Sequence, residues 1–194
     1  MADESAPIIL ASASPRRRQL LAEAGYEFTV FPAEIDESAF LVEAMGPCEY
    51  AQKLALAKAR NVAEKFPDRL VIGADTVVDF EEQIIGKPAD EKEAEQIARK
   101  LFRAPHKVIT AVAIVRLRDG VEIVESDTTT VYPRKMNEEQ IAEHIRSGSW
   151  RDKAGAYAIQ EGGDEFVERI EGSLTNVMGL PMELLAWLLE RVGR

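Results

Sequence analysis

The stretch Val108-Ile109-Thr110-Ala111-Val112-Ala113-Ile114-Val115-Arg116-Leu117-Arg118-Asp119-Gly120-Val121-Glu122-Ile123-Val124-Glu125-Ser126-Asp127-Thr128-Thr129-Thr130-Val131 is two β-prone runs joined at Asp119-Gly120. Asp-Gly between such runs is a strong short-range hairpin signal. Outward from it, the pattern switches repeatedly between strand and helix. Upstream lie the apolar run Ile8 to Ala11, a helix opening at Pro15 and closing at Gly25, and a strand over Glu27 to Phe31. A helix from Pro47 to about Phe66 follows, then the strand Leu70-Val71-Ile72-Gly73, which breaks at Ala74-Asp75-Thr76 and resumes at Val77-Val78. Asp90 caps a helix through Phe102. Downstream, Asn137 and Gln140 form a capping box for a helix ending at Ser147-Gly148, and Pro181 opens a last helix with Leu184, Leu185, Leu188 and Leu189 inward. Such alternation predicts an α/β fold, and the long hairpin among crossover helices predicts a mixed sheet. No repeat or linker divides the chain, so residues 1–194 read as one domain.

Net charge is -10 and the pI about 4.9. That balance argues against nucleic-acid polymers as partners, since it offers no broad basic surface. Phosphates would have to be held in a local basic pocket within an acidic shell. The one cysteine, Cys48, excludes an internal disulfide, and no Cys/His cluster suggests zinc. Neither a basic leader nor an apolar stretch of membrane length is visible, so a soluble cytoplasmic chain is expected.

Within this frame Ser14-Pro15 reads as an N-cap followed by proline in the first turn, which places Arg16, Arg17 and Arg18 at the positive end of a helix. Cations there are disfavoured unless an anion sits among them, and a helix N-terminus is itself an anion site. Ser12, Arg16 and Arg17 are therefore read as a phosphate site, and Arg18 as a solvated charge. On the Pro47 helix, Ala51, Leu54, Ala55 and Val62 form the apolar stripe, and Lys58 falls on it. A lysine so placed either snorkels or meets an anion. Asp75, where the strand breaks, either suits a metal or a water proton or is only a cap or turn former. Lys87, on the Gly86-Lys87-Pro88 turn, offers another cation, or merely a solvated one. Glu34, Asp36 and Glu37 could add a metal ligand or be a charged loop. Gln160 carries an amide able to read a base edge. His106 and His144 have no catalytic partner in sequence and receive no role.

Together Leu10-Ala11-Ser12-Ala13-Ser14-Pro15-Arg16-Arg17, Leu54-Ala55-Leu56-Ala57-Lys58-Ala59, Gly73-Ala74-Asp75-Thr76, Gly86-Lys87-Pro88, Asp152 to Gln160 and Gly172 to Pro181 resemble the Maf family of nucleoside triphosphate pyrophosphatases. The resemblance implies an elongated mixed sheet with two lobes around a cleft, related to inosine triphosphate pyrophosphatases, and a homodimer. It implies cleavage of a nucleoside triphosphate to monophosphate and pyrophosphate with Mg²⁺ or Mn²⁺. By motif position, Ser12, Arg16, Arg17, Lys58 and Lys87 would hold the triphosphate, with Thr76 and Gln160 also in the substrate-binding set. Glu37 and Asp75 would serve metal and water, with Asp75 as base or metal ligand. Paired Arg16-Arg17 and the stretch ending at Gln160 are similar to the dTTP/UTP branch rather than the 7-methyl-GTP branch. Phe102 to Pro105 and Glu161 to Asp164 depart from the family pattern. The rival readings are a nucleotide-binding regulator of cell division without catalysis, and a docking protein with a basic patch.

Overall fold

The hairpin forms as its sequence dictates. Strands β5 (His106–Arg116) and β6 (Val121–Pro133) pair antiparallel from Arg116 opposite Val121 to His106 opposite Val131. A 3-10 turn over Leu117–Asp119 leads into Gly120, whose φ of 70° suits glycine. The structure, a computed structural model, describes residues 7–40, 45–151, 153–157 and 166–194. The other strands are β1 (Ile8–Leu10), β2 (Phe28–Val30), β3 (Val71–Phe80), β4 (Gln83–Ile85) and β7 (Val167–Glu171). All join one sheet of order β2-β1-β3-β5-β6-β7, with β4 added to the outer part of β3. β1 is parallel to β2 and to β3 and every other pairing is antiparallel, so the sheet is mixed.

Helix α1 (Pro15–Glu23) carries the chain from β1 to β2 on one side, while β3 lies on the other. The carboxyl end of β1 is thus a switch point, the place where open α/β sheets form ligand crevices. Ser14 is the N-cap residue and Pro15 the first helical one, although the Ser14 side chain makes no capping bond.

Side chains of β3 alternate between two cores. Ile72 and Ala74 join Leu20 and Leu21 of α1 and Leu185, Leu188 and Leu189 of α6 (Met182–Arg191). Val71 and Val77 join Ala51, Ala55, Ala59 and Val62 of α2 (Pro47–Ala63) on the opposite face. A third cluster joins Val78 and Phe80 to α3 (Glu91–Leu101) and Ile141 of α4 (Glu138–Ser147). The Asn137/Gln140 capping box and the Asp90 cap are both present. Pro181 proves to be the N-cap residue of α6 rather than its first helical residue.

One expectation is corrected. β3 does not break at Ala74-Asp75-Thr76; it runs through unbroken, because β5 pairs with it from Val71 to Asp79. What stops is its other neighbour. Pairing with β1 ends at Ile72 and pairing with β4 begins at Val78, so residues 73–77 have a strand on one side only. The cleft opens along that bare edge.

Two contacts set its walls. Gly73 lies so close to α2 that a Cβ there would stand 2.2 Å from the Ala55 carbonyl oxygen and 2.7 Å from the Ala59 nitrogen. Helix α5 (Leu174–Met178) is pinned by Asn176, a fully buried residue whose Nδ2 donates to Val108 O and Thr129 Oγ1 and whose Oδ1 accepts Thr110 N–H.

His106, also buried, lies within hydrogen-bonding distance of the Tyr157 hydroxyl. Burial lowers its pKa to about 4, against the pull of backbone bonds near Ala104 and Leu101. Between the unfolded value near 6.5 and about 4, the unfolded chain binds a proton that the native chain refuses, so stability falls as pH falls through that window. His106→Gln is expected to flatten this slope. Urea titrations at pH 7 and near pH 4 should show the wild-type advantage shrinking by about 3 kcal/mol. An unchanged difference would exclude His106 as the group responsible.

Candidate active site

Helix α2 turns Lys58 toward β3, as the apolar stripe predicts. Its Nζ lies 2.7 Å from Asp75 Oδ1 and 2.8 Å from Glu37 Oε1, with only 14% of the side chain exposed. Asp75 shares a face of β3 with Val71, Gly73 and Val77, and therefore looks toward α2. Glu37 opens a 3-10 turn, Glu37–Ala39, that Asp36 caps by accepting the Ser38 N–H. The acidic cluster thus divides. Asp36 is used in the cap, Glu34 pairs with Lys65 at 3.2 Å, and Glu37 alone reaches the lysine.

One ammonium bridges two carboxylates, and they respond differently. Burial raises the pKa of Asp75, an effect that Lys58 and Arg17 only partly offset and that Glu37 adds to. Burial would also raise Glu37, but it is more exposed; the hydrogen bond and charge of Lys58, with Lys87 and Arg17, carry it below its usual value. Burial thus dominates at Asp75 and the neighbouring cations at Glu37.

The arginines separate just as clearly. Arg17 Nε donates to Gly179 O at 2.7 Å, Nη1 to Ala74 O at 2.8 Å and Ser12 Oγ at 3.1 Å, and Nη2 to Thr76 Oγ1 at 3.0 Å. Ser12 Oγ also accepts the Ser14 N–H at 3.2 Å, so the turn after β1 is tied to the helix it feeds. Burial lowers the Arg17 pKa, and the charges of Asp75 and Glu37 work against that while Arg16 adds to it. Arg18 is exposed, as expected. The Arg16 side chain makes no hydrogen bond or ion pair among the described residues, and burial lowers its pKa.

These residues line two joined cavities. The inner one, about 510 Å³, is walled by Tyr50, Leu54, Val77, Val108, Tyr157 and Met178. The outer one, about 980 Å³, is bordered by Arg16, Arg151, Lys153 and the Ser12 turn. Arg16, Arg17, Glu37, Lys58 and Lys87 border both, and Asp75 and Thr76 border the inner one. The outer cavity thus gathers six cations against one carboxylate in a chain of net charge -10. Gln160 lies outside the described residues.

Three lining residues carry no role in the sequence reading. Tyr50 stands four and eight residues before Leu54 and Lys58, hence on the same side of α2, and its phenol pKa is raised by burial and by Asp75 and Glu37. Arg151 precedes the Asp152 to Gln160 motif and Lys153 lies within it, where no helical period orients them. Arg16 and Lys153 both border the outer cavity, and burial and the charge of Arg16 lower the Lys153 pKa.

Among the described residues, no group of three or more His, Cys, Asp or Glu could hold a metal, and no helix is long and apolar enough to cross a membrane. Asp75 and Glu37 nevertheless offer two hard oxygen donors at one point, which suits Mg²⁺ or Mn²⁺ completed by water and substrate phosphate.

The "dTTP/UTP pyrophosphatase" of Citrifermentans bemidjiense is 46% identical over 180 residues, 92% of each chain. That of Geotalea uraniireducens is 46% identical over 187 residues, 96% of this chain and 95% of its own. A protein of the same name from Methanosarcina barkeri is 43% identical over 96% of this chain and 94% of its own. The fold is also that of the Staphylococcus aureus Ham1 protein, at a TM-score of 0.56 and 15% identity, covering 96% of this chain and all of that one. Residues 7–192 match the family described as Maf-like protein, and the chain belongs to it.

Proposed function

We propose that this protein hydrolyses dTTP and UTP to the nucleoside monophosphate and pyrophosphate. The observation that carries the reading is the convergence of Arg16, Arg17, Lys58 and Lys87 beside Asp75 and Glu37 at the junction of two cavities. The inner cavity, part of whose wall is Tyr50, Leu54, Val77, Val108, Tyr157 and Met178, suits a nucleoside, and the outer one, bordered by Arg16, Arg151 and Lys153, suits the phosphate tail. At their junction the α phosphorus would lie beside Asp75. A water attacks it, the bond to the bridging oxygen breaks, and pyrophosphate departs with that oxygen. The water proton passes to the Asp75 carboxylate, which lies at the junction with its Oδ1 2.7 Å from Lys58 Nζ. Lys58 and Lys87 stabilise charge growing on the phosphate oxygens and the departing group. Glu37 and Asp75 would hold Mg²⁺ or Mn²⁺, which when bound supplies further neutralisation of phosphate charge.

Relatives of the same name, 43–46% identical over nearly the whole chain, support the choice of dTTP and UTP. Incubation with dTTP or UTP and Mg²⁺ should release pyrophosphate and monophosphate in equal amounts. Orthophosphate without pyrophosphate would overturn the cleavage position, and no release from either nucleotide would overturn the activity.

A further inference from the structure

Resemblance alone assigns Arg17 to the triphosphate, but its hydrogen bonds point elsewhere. A guanidinium has five N–H groups, and the protein takes four of those on Arg17. Two of the acceptors are the backbone oxygen of Ala74 and the side-chain oxygen of Thr76, the residues immediately before and after Asp75. Leu70 O and Ile72 O point to the β1 side of β3, where they accept N–H groups of Ile9 and Ala11. By strand alternation Ala74 O points the same way, onto the edge that β1 has already left. Arg17 fills the gap that the missing strand leaves there.

The network continues inward. Thr76 Oγ1 lies 2.9 Å from Thr110 Oγ1, which donates to Asn176 O at 2.8 Å. Through Gly179 O the same guanidinium also fixes the segment that follows α5. Arg16, one residue earlier, has none of these ties and faces both cavities.

We propose that Arg17 is a positioning residue that substitutes for an absent strand and holds the Asp75 segment of β3 in register, while Arg16 is the arginine that grips substrate. This rests on the pyrophosphatase reading above. A lysine has one point charge and cannot span acceptors on three segments. Arg17→Lys should therefore lower kcat for UTP about 100-fold, as small misplacements of a reacting group do. Its dissociation constant for α,β-methylene-UTP should stay within about threefold of wild type. Arg16→Lys should do the reverse, weakening analogue binding about tenfold, by more than it lowers kcat.

A milder pair isolates the same bond. Thr76→Val removes one acceptor of Arg17 and should lower kcat about tenfold without changing analogue affinity, and Thr76→Ser should restore it. Should Arg17→Lys fail to fold, the Thr76 pair decides. The proposal is overturned if Arg17→Lys weakens analogue binding as much as it lowers kcat, or if Thr76→Val keeps full kcat. A wild type that releases no pyrophosphate is a different result and removes the underlying reading instead.

Discussion

Asp75→Asn is expected to cut pyrophosphate release from UTP by roughly a thousandfold or more while leaving the nucleotide-free fold as stable as before. The two halves of this prediction share one cause. Asp75 is mostly buried, and desolvation raises its pKa despite the ammonium of Lys58 at 2.7 Å. Its ionised form is thus less favourable in the native chain than in the unfolded one, so near neutral pH the charge costs stability. Asparagine keeps the shape and can still accept from Lys58, and Lys58 keeps Glu37 at 2.8 Å. The buried cation is therefore not left alone, which is the circumstance that makes broken buried pairs expensive. The melting temperature should stay within about 3 °C of wild type or rise, while a neutral amide takes up no proton. Pyrophosphate assay and calorimetry on one preparation check both halves. Activity within tenfold of wild type would remove Asp75 from the chemistry. Lost activity with a large fall in melting temperature would make its role structural.

What could be read from the sequence follows from how local each feature is. The β5–β6 hairpin, the capping box of α4 and the stripe that places Lys58 are all written within one element, so period and turn chemistry suffice. β4, β7 and α5 span three to five residues each, too short for a period, and are fixed by partners far along the chain. Glu34, Asp36 and Glu37 look alike in sequence, and only the 3-10 turn selects Glu37 to face Lys58. Arg17 is the instructive case. Leu20 and Leu21 follow it by three and four residues and are buried, so its inward direction is legible by the argument used for Lys58. Its partner Gly179 is 162 residues away, and no local pattern announces that bond.

Gly73→Ala is expected to be the most damaging single methyl group in the site. Alanine prefers strands no less than glycine does, and Gly73 does not occupy the left-handed region, so intrinsic conformation gives no reason for glycine. The reason is space. The new Cβ would stand 2.2 Å from the Ala55 carbonyl oxygen, 2.7 Å from the Ala59 nitrogen and 2.9 Å from the Ala59 Cβ. Two of these atoms are backbone and cannot rotate away, so α2 must move off the sheet as a unit. Ala55 and Ala59 bracket Lys58 on that helix, and Gly73 precedes Asp75 by two residues on the same face of β3. Displacement at the first contact therefore lengthens the second, the 2.7 Å bridge between Lys58 and Asp75. Overpacking of this kind costs about 3 kcal/mol, or roughly 6–12 °C in a chain of this length. Turnover per folded molecule should fall about 100-fold, since the reacting groups separate. Gly120→Ala is the control, because nothing lies within 4 Å of its Cβ and only the φ of 70° opposes it. It should cost about 1 kcal/mol and leave kcat unchanged. If Gly73→Ala melts like the control and retains activity, close packing of α2 on β3 is not what holds Lys58 against Asp75.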